Sequence, residues 1–258
     1  IVENKYTNLN NIAINDNGIC IVGDNGTIIF SDNKKTFNYK SLKKGGNIIT
    51  NDLLEVFMKG SDIYIVGNGI KCKNTISNMK NDSVTCNTKD TNIYFNIFEY
   101  KYTSGEQNNP AELICCIKKA QTYSLMVMDE KAGWTREIDL PTDLKDKTYE
   151  SLYIKSINND NLFIYNTVDS DRLYIRKFTG TQTGETQPTN PDSSVGVAAI
   201  TLNNKKEKIV GVYITNSIKG ILTNTLNYYE FENFNGVDRR KNINLNLSQY
   251  NNISNSKI

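Results

Sequence analysis

A chain of 258 residues with 30 basic and 28 acidic side chains can bury a sizeable core. It carries no charge excess that would point to nucleic acid or an anionic membrane. Histidine is absent, which removes the commonest general base, metal ligand and pH switch together. No run of about 18 apolar residues exists to cross a bilayer as a helix.

The first predicted elements lie in Asn11 to Tyr39, where IAIN, ICIVG, TIIFS and TFNY read as four short strands. Asn17-Gly18 and Asn25-Gly26 separate the first three, and Asn-Gly is the strongest short-range hairpin signal because both residues tolerate positive φ. Ser31 to Phe37 forms a third hairpin turn of different build. Four antiparallel strands in about 30 residues have the size of one β-propeller blade. The rhythm then repeats every 40 to 50 residues or so, the propeller period. Residues 53–88 read LLEVFMKG, DIYIVGN, GIKCKN and SVTCNT, with Asn68-Gly69 repeating the hairpin signal and IYIVGNG echoing CIVGDNG. Residues 94–141 read YFNIFEYKY, ELICCIKK, SLMVMDE and WTREIDL. Residues 149–190 read ESLYIKSI, NLFIYNTV and RLYIRKF, with an outer strand expected inside the polar, proline-containing segment 179–194. Residues 194–235 read VGVAAITL, KIVGVYIT, GILTNTL and YYEFENF, with VGVAAI taken as a small apolar inner strand. Residues 236–258 are expected as a closing strand or tail. No sustained i, i+3, i+4 pattern predicts a long helix. The expectation is one all-β domain over 1–258, a propeller of five recognisable four-stranded blades, or six with closure or a missing part.

GDNGTIIFSDNKKTF resembles the Asp-box repeat, Ser-x-Asp-x-Gly-x-Thr-Trp, of sialidases and of assembly-factor propellers. Ser31, Thr36 and Phe37 take its Ser, Thr and aromatic positions, while Asp32 sits one place early and Lys35 stands where glycine is usual. A second candidate keeps Asp129, Gly133 and Trp134 at compressed spacing. In that family the box is a structural turn away from the catalytic face, so the resemblance implies a propeller and not a sialidase. Sialidases grip a sugar carboxylate with three arginines and use a Tyr-Glu nucleophile pair. Here the arginines are Arg136, Arg172, Arg176, Arg239 and Arg240. None precedes the first box, where the family carries its Phe-Arg-Ile-Pro motif. The resemblance therefore implies a chain that is not an enzyme, with a divergent glycoside hydrolase as one alternative and an intracellular assembly factor or scaffold as another.

The five cysteines are Cys20, Cys72, Cys86, Cys115 and Cys116. Cys72 and Cys86 flank a polar loop at a spacing that suits a disulfide; two unpaired thiols in a reducing compartment is the other reading. Adjacent Cys115 and Cys116 should point to opposite faces of one strand, buried and unreactive. Abundant asparagine, lysine, isoleucine and tyrosine read first as the codon bias of an AT-rich genome and second as turn chemistry. Asn15 to Gly18 and Gly23 to Gly26 carry oxygen ligands, yet both are accounted for as turns, so no metal and no cofactor is expected. Tyrosine clusters at 94–102, 149–153 and 228–229 offer large, rigid contact groups, or simply fill half-buried strand positions. The candidate contact residues are Trp134, Arg136, Arg172, Arg176, Tyr228 and Tyr229. The expected function is a secreted or surface-exposed propeller binding a protein or glycan, with a cytoplasmic location as the alternative.

Overall fold

The computed structural model describes residues 7–44, 47–81, 86–100, 112–120, 122–129, 133–140, 144, 147–157, 160–178, 197–202, 205–214, 219–230 and 241–244. Among these, strands dominate, and α1 (Ile76–Lys80) is a single turn of α-helix capped by Thr75 Oγ1, which accepts from the Asn78 N–H. The chain divides into two compact units, Ile1–Phe98 with Leu113–Ile138, and Glu99–Glu112 with Asp139–Ile258.

In the first unit, β1 (Leu9–Asn15), β2 (Gly18–Gly23), β3 (Thr27–Ser31) and β4 (Asn38–Ser41) form an antiparallel meander. Its β2–β3 turn takes positive φ at both Asn25 and Gly26, the signature of a type I′ hairpin. The β1–β2 turn falls one residue earlier than expected, at Asp16-Asn17, because the Asn15 side chain accepts the Asn17 N–H and closes the turn there. The β3–β4 turn is organised by Asn33, whose Oδ1 accepts from Ser31 Oγ, Lys35 N and Thr36 N, while Lys34 takes the left-handed conformation. Asp32 faces outward to Lys80 at 2.8 Å, so Asn33 and not Asp32 is the polar centre of that turn. A two-stranded hairpin, β5 (Lys43–Lys44) with β6 (Asn47–Ile48), follows.

Next come β7 (Leu53–Lys59), β8 (Asp62–Thr75), β9 (Asn87–Tyr100), β10 (Glu112–Lys119), β11 (Thr122–Asp129) and β12 (Gly133–Asp139), in one six-stranded order. A straight 14-residue strand would separate its ends by roughly 45 Å. Yet Ile76 N donates to Ser61 O at 2.9 Å, and Lys73 Nζ lies 3.2 Å from Asp62. β8 therefore doubles back at Asn68-Gly69, where Gly69 takes positive φ. With β8 counted as a hairpin and β9 as shared, the six-strand order contains two successive four-stranded meanders. Cys72 and Cys86 are bonded across the β8–β9 pairing with Cα atoms 4.6 Å apart. Closing this loop should contribute about 3 kcal/mol on the chain-entropy account. The Cys72→Ser/Cys86→Ser double variant is accordingly expected to lose about that much in guanidinium titrations, with no further loss on adding reductant.

The second unit holds two more meanders. The first is β13 (Tyr149–Ile157), β14 (Asp160–Thr167), β15 (Arg172–Phe178) and β16 (Val197–Thr201). The second is β17 (Ile209–Ile214), β18 (Lys219–Thr223), β19 (Asn227–Glu230) and β20 (Lys241–Asn244). Here the expected boundary moves. VAAIT is the fourth strand of the earlier sheet, paired with β15, and does not open the next one. The last sheet begins at Ile209 and finds its fourth strand in the segment expected as a closing strand or tail. Small apolar residues suit an inner or an outer strand equally, so their pattern alone did not fix the assignment. The polar segment 179–194 lies outside the described residues.

One feature recurs in four of the meanders. The register slips at the start of the first strand, between Leu9 and Asn11, Leu53 and Glu55, Tyr149 and Ser151, and Ile209 and Gly211. In each, the residue after the second strand donates its N–H to the carbonyl just before the first: Asp24 to Asn8, Asn68 to Asp52, Val168 to Thr148, and Asn224 to Lys208. The equivalence aligns the repeats residue by residue. It also shows how they pack. In the first unit, Val56, Met58, Ile63 and Ile65 on the front of one sheet share a core with Cys20, Val22, Ile28 and Phe30 on the back of the preceding one. The next pair shares Tyr64 and Val66 with Cys115, Ile117, Met126 and Met128. In the second unit, Val212, Ile221 and Tyr229 meet Tyr153, Ile164, Leu173 and Ile175.

Candidate functional site

Strand alternation puts Arg172, Tyr174 and Arg176 on one face of β15. At about 3.3 Å per residue the two arginine Cα atoms stand roughly 13 Å apart, with the tyrosine between them. Arg172 is exposed; Tyr174 and Arg176 are half-buried. Burial pulls the Arg176 guanidinium below its ordinary value, though an arginine so placed stays charged at neutral pH. Tyr174 pairs with Ala199 on β16, a small neighbour, and stacks on Tyr165 at 5.3 Å between ring centroids. Tyr165 meets Tyr149 edge-on at 5.4 Å, and Tyr149 Oη donates to the Leu144 carbonyl. Burial, with Tyr174 adding to it, pushes the Tyr165 phenol up to about 12, so it stays neutral. Ser170 Oγ lies 3.4 Å from Tyr174 Oη and accepts the Arg172 N–H, fixing the turn from which the strip departs. The result is a cationic strip with an aromatic centre on a rigid aromatic base. Arg172 and Arg176 were legible as a same-face pair, but the tyrosine ladder beneath them needed the β14–β15 register.

The other expected contact residues separate. Tyr228 is half-buried, lying across Gly220, and its phenol is pushed up by burial, by Glu230 and by Tyr213. Tyr229, one residue on, points to the opposite face and is only 1% exposed, which removes it from any contact surface. Its Oη donates to Glu207 Oε2 at 3.1 Å. Glu207 is fully buried, and its Oε1 accepts from Thr223 and Thr225 hydroxyls and from Asn227 Nδ2. Burial acts to raise this carboxyl; the four donors outweigh it and hold the group below the usual carboxylate range. Nothing in the sequence marked Glu207, which sits beside lysines in KKEK like a solvated charge. Trp134 and Arg136 lie within β12, Gly133 opens that strand and Asp129 ends β11; the side chains of all four are outside the described residues.

Cys115 and Cys116 are both fully buried, and burial raises both thiols well above their ordinary value. Cys20 is likewise buried, its thiol pushed up to about 12. Among the described residues no group of three or more Cys, Asp or Glu could hold a metal ion. Asp24, in one of the oxygen-rich turns, accepts from Asn8 Nδ2 at 2.6 Å and Asn10 Nδ2 at 2.9 Å. No helix among the described residues is long and apolar enough to cross a membrane.

No family model and no curated protein matches the chain. Among solved structures, YCF48 bound to D1 peptide is similar over 94% of this chain and 68% of its own, at 10% identity and a TM-score of 0.53. The WD40 domain of SCAP from fission yeast is similar over 92% and 56%, at 10% identity and 0.48. AztD from Citrobacter koseri is similar over 91% and 60%, at 8% identity and 0.46. The chain thus spans between about half and two thirds of the structures it matches. The fold is all-β, of the propeller class, built from four-stranded antiparallel meanders.

Proposed function

We propose that this chain is a non-catalytic propeller, secreted or surface-exposed, that binds a polypeptide partner through the Arg172–Tyr174–Arg176 strip. The strip carries the reading. Two arginines whose Cα atoms stand roughly 13 Å apart match acidic residues four apart on an extended peptide. A rigid tyrosine between them supplies contact area at small entropic cost. The similar YCF48 structure is of that protein bound to D1 peptide, which favours a peptide over a glycan. The buried Cys72–Cys86 bond suits an oxidising compartment. Against a sialidase reading stands the burial of Tyr229, a tyrosine that such chemistry would need at a surface.

The test is a panel of extended synthetic peptides, with and without acidic residues at i and i+4, run beside a glycan array and a fluorogenic sialoside assay. Peptides carrying both acids should bind, more weakly as salt rises, with no turnover of the sialoside. Arg172→Ala should cost about tenfold in affinity, the value of one charge-assisted bond. Binding to glycans alone would replace the peptide reading with the glycan one, and sialoside turnover would replace both with a hydrolase.

A further inference from the structure

The near-balance of charge over the whole chain hides a local excess. Between Asp32 and Asp52 lie five lysines, Lys34, Lys35, Lys40, Lys43 and Lys44, and no acidic residue. Without these five, the 30 basic side chains fall to 25 against 28 acidic ones. The segment forms one edge of the first sheet: the turn entering β4, then β4 as the last strand in the order, then the β5–β6 hairpin. Lys34, Lys35 and Lys43 are exposed and lie in salt-bridge range of no acid among the described residues. Lys73, Lys80, Lys119 and Lys208 each hold one.

Lysine on an edge strand is an ordinary guard against pairing with another chain. That guard does not account for the apolar side chains beside these lysines. Phe37 follows the Lys34-Lys35 pair and is 48% exposed, and Ile48 follows the Lys43-Lys44 pair and is 62% exposed. Ile48 stands directly across β5–β6 from Lys43. Both ends of the edge are anchored. Asn33 Oδ1 accepts from Lys35 N and Thr36 N in the first turn. Leu42 and Ile49, at the base of the hairpin, are buried in the core of the first unit, with Ile49 N donating to Leu42 O at 2.9 Å. From Phe37 to Lys43 the edge is at most about 20 Å long.

An acidic peptide or a nucleic acid is gripped best by planar, bidentate arginines, and this edge has none. Flexible lysines in two pairs, each with an exposed apolar side chain next to it, match a diffuse negative charge lying over an apolar layer. We propose that the β4 edge docks the chain on an anionic lipid bilayer. The lysines stay at the level of the headgroup phosphates, and Phe37 and Ile48 enter the boundary with the acyl chains. The site lies wholly in the first unit and does not rest on the Arg172–Tyr174–Arg176 strip.

The test is cosedimentation of the whole chain with vesicles of phosphatidylcholine, alone or with ~30% phosphatidylserine, at ~50 and ~300 mM salt. The chain should sediment with the anionic vesicles only and be released as salt rises. Lys35→Gln/Lys43→Gln should bind about 25-fold more weakly, at about fivefold per lysine near a charged surface. Lys205→Gln/Lys206→Gln removes the same charge from exposed positions in the second unit and should change binding by less than about twofold. Both variants should keep the wild-type circular dichroism. Phe37→Trp should show a blue shift of emission on anionic vesicles beyond that of wild type, whose one tryptophan is Trp134. Wild type that ignores the anionic vesicles overturns the proposal. So do equal losses in the two lysine variants, or no added blue shift in Phe37→Trp. Binding to duplex DNA or to polyglutamate as tight as to the vesicles overturns the bilayer in favour of that polymer.

Discussion

Glu207→Ala is expected to destabilise the second unit by about 3–5 kcal/mol, the range for leaving several buried donors without their acceptor. The carboxylate gathers the Thr223, Thr225, Asn227 and Tyr229 donors, and its own backbone carbonyl accepts from the buried Asn166 Nδ2 at 2.9 Å. Strand β17 begins two residues later, so this group fixes where the last sheet starts and ties it to β14. Glu207→Gln keeps the shape and one acceptor oxygen but turns an N–H₂ toward hydroxyl groups, and should lose about half as much. At about 2–4 °C per kcal/mol for a domain of this size, the alanine variant should melt roughly 10 °C lower by calorimetry. Equal melting of wild type and alanine variant would show that the cluster contributes nothing net.

The same group predicts an acid response. Its folded pKa lies below its unfolded value, so its contribution is fully present above the ordinary carboxylate pKa of about 4.3 and is lost as pH falls through the folded value. Wild type should therefore weaken more steeply than Glu207→Gln below about pH 4, and the two curves should run parallel above about pH 5.

How much of this was legible follows from range. Hairpins closed by local chemistry were readable: Asn25-Gly26 and Asn68-Gly69 turn where the dipeptides predict, because Asn25, Gly26 and Gly69 take the positive φ that the turns require. Asn17-Gly18 missed by one residue, since a competing Asn15 side-chain bond decided the turn. Cys72 and Cys86 were readable from their flanking loop. What could not be read were groups whose meaning depends on partners far along the chain. Glu207 looked like a surface charge because its donors lie 16 to 22 residues away. Tyr228 and Tyr229 looked alike until pairing with Leu222 and Ile221 assigned them to opposite faces. The abundance of asparagine, first taken as codon bias, proves structural at several sites. Asn8 and Asn10 hold Asp24, Asn10 also reaches the Leu53 carbonyl at 2.8 Å, and Asn51 Nδ2 reaches that of Asn68 at 2.7 Å.

Gly26→Ala is expected to cost about 3 kcal/mol or more, and Gly60→Ala only about 1, although both glycines hold positive φ, +69° and +57°. The backbone strain of an alanine is similar at the two sites, on the order of 1–2 kcal/mol. The difference lies in space. A Cβ on Gly60 meets nothing within 4 Å, whereas one on Gly26 would strike the carbonyl oxygen of Ile49 and sit 3.2 Å from its carbon. Neither atom can swing away, because both belong to backbone that leads into β7. Moving it would stretch the Gly26 N–H bond to the Asn51 carbonyl, now 2.8 Å, and the Asn25 N–H bond to Asp52 Oδ1, now 3.0 Å. Those two bonds join the β2–β3 turn of the first sheet to the start of the second, so the variant should loosen packing between the sheets as well as the turn. Guanidinium titration of both variants separates strain from contact. Hydrogen exchange at the Val56 and Ile65 amides should rise in Gly26→Ala and stay at the wild-type rate in Gly60→Ala; equal losses at the two sites would leave only the common strain and remove the contact from the account.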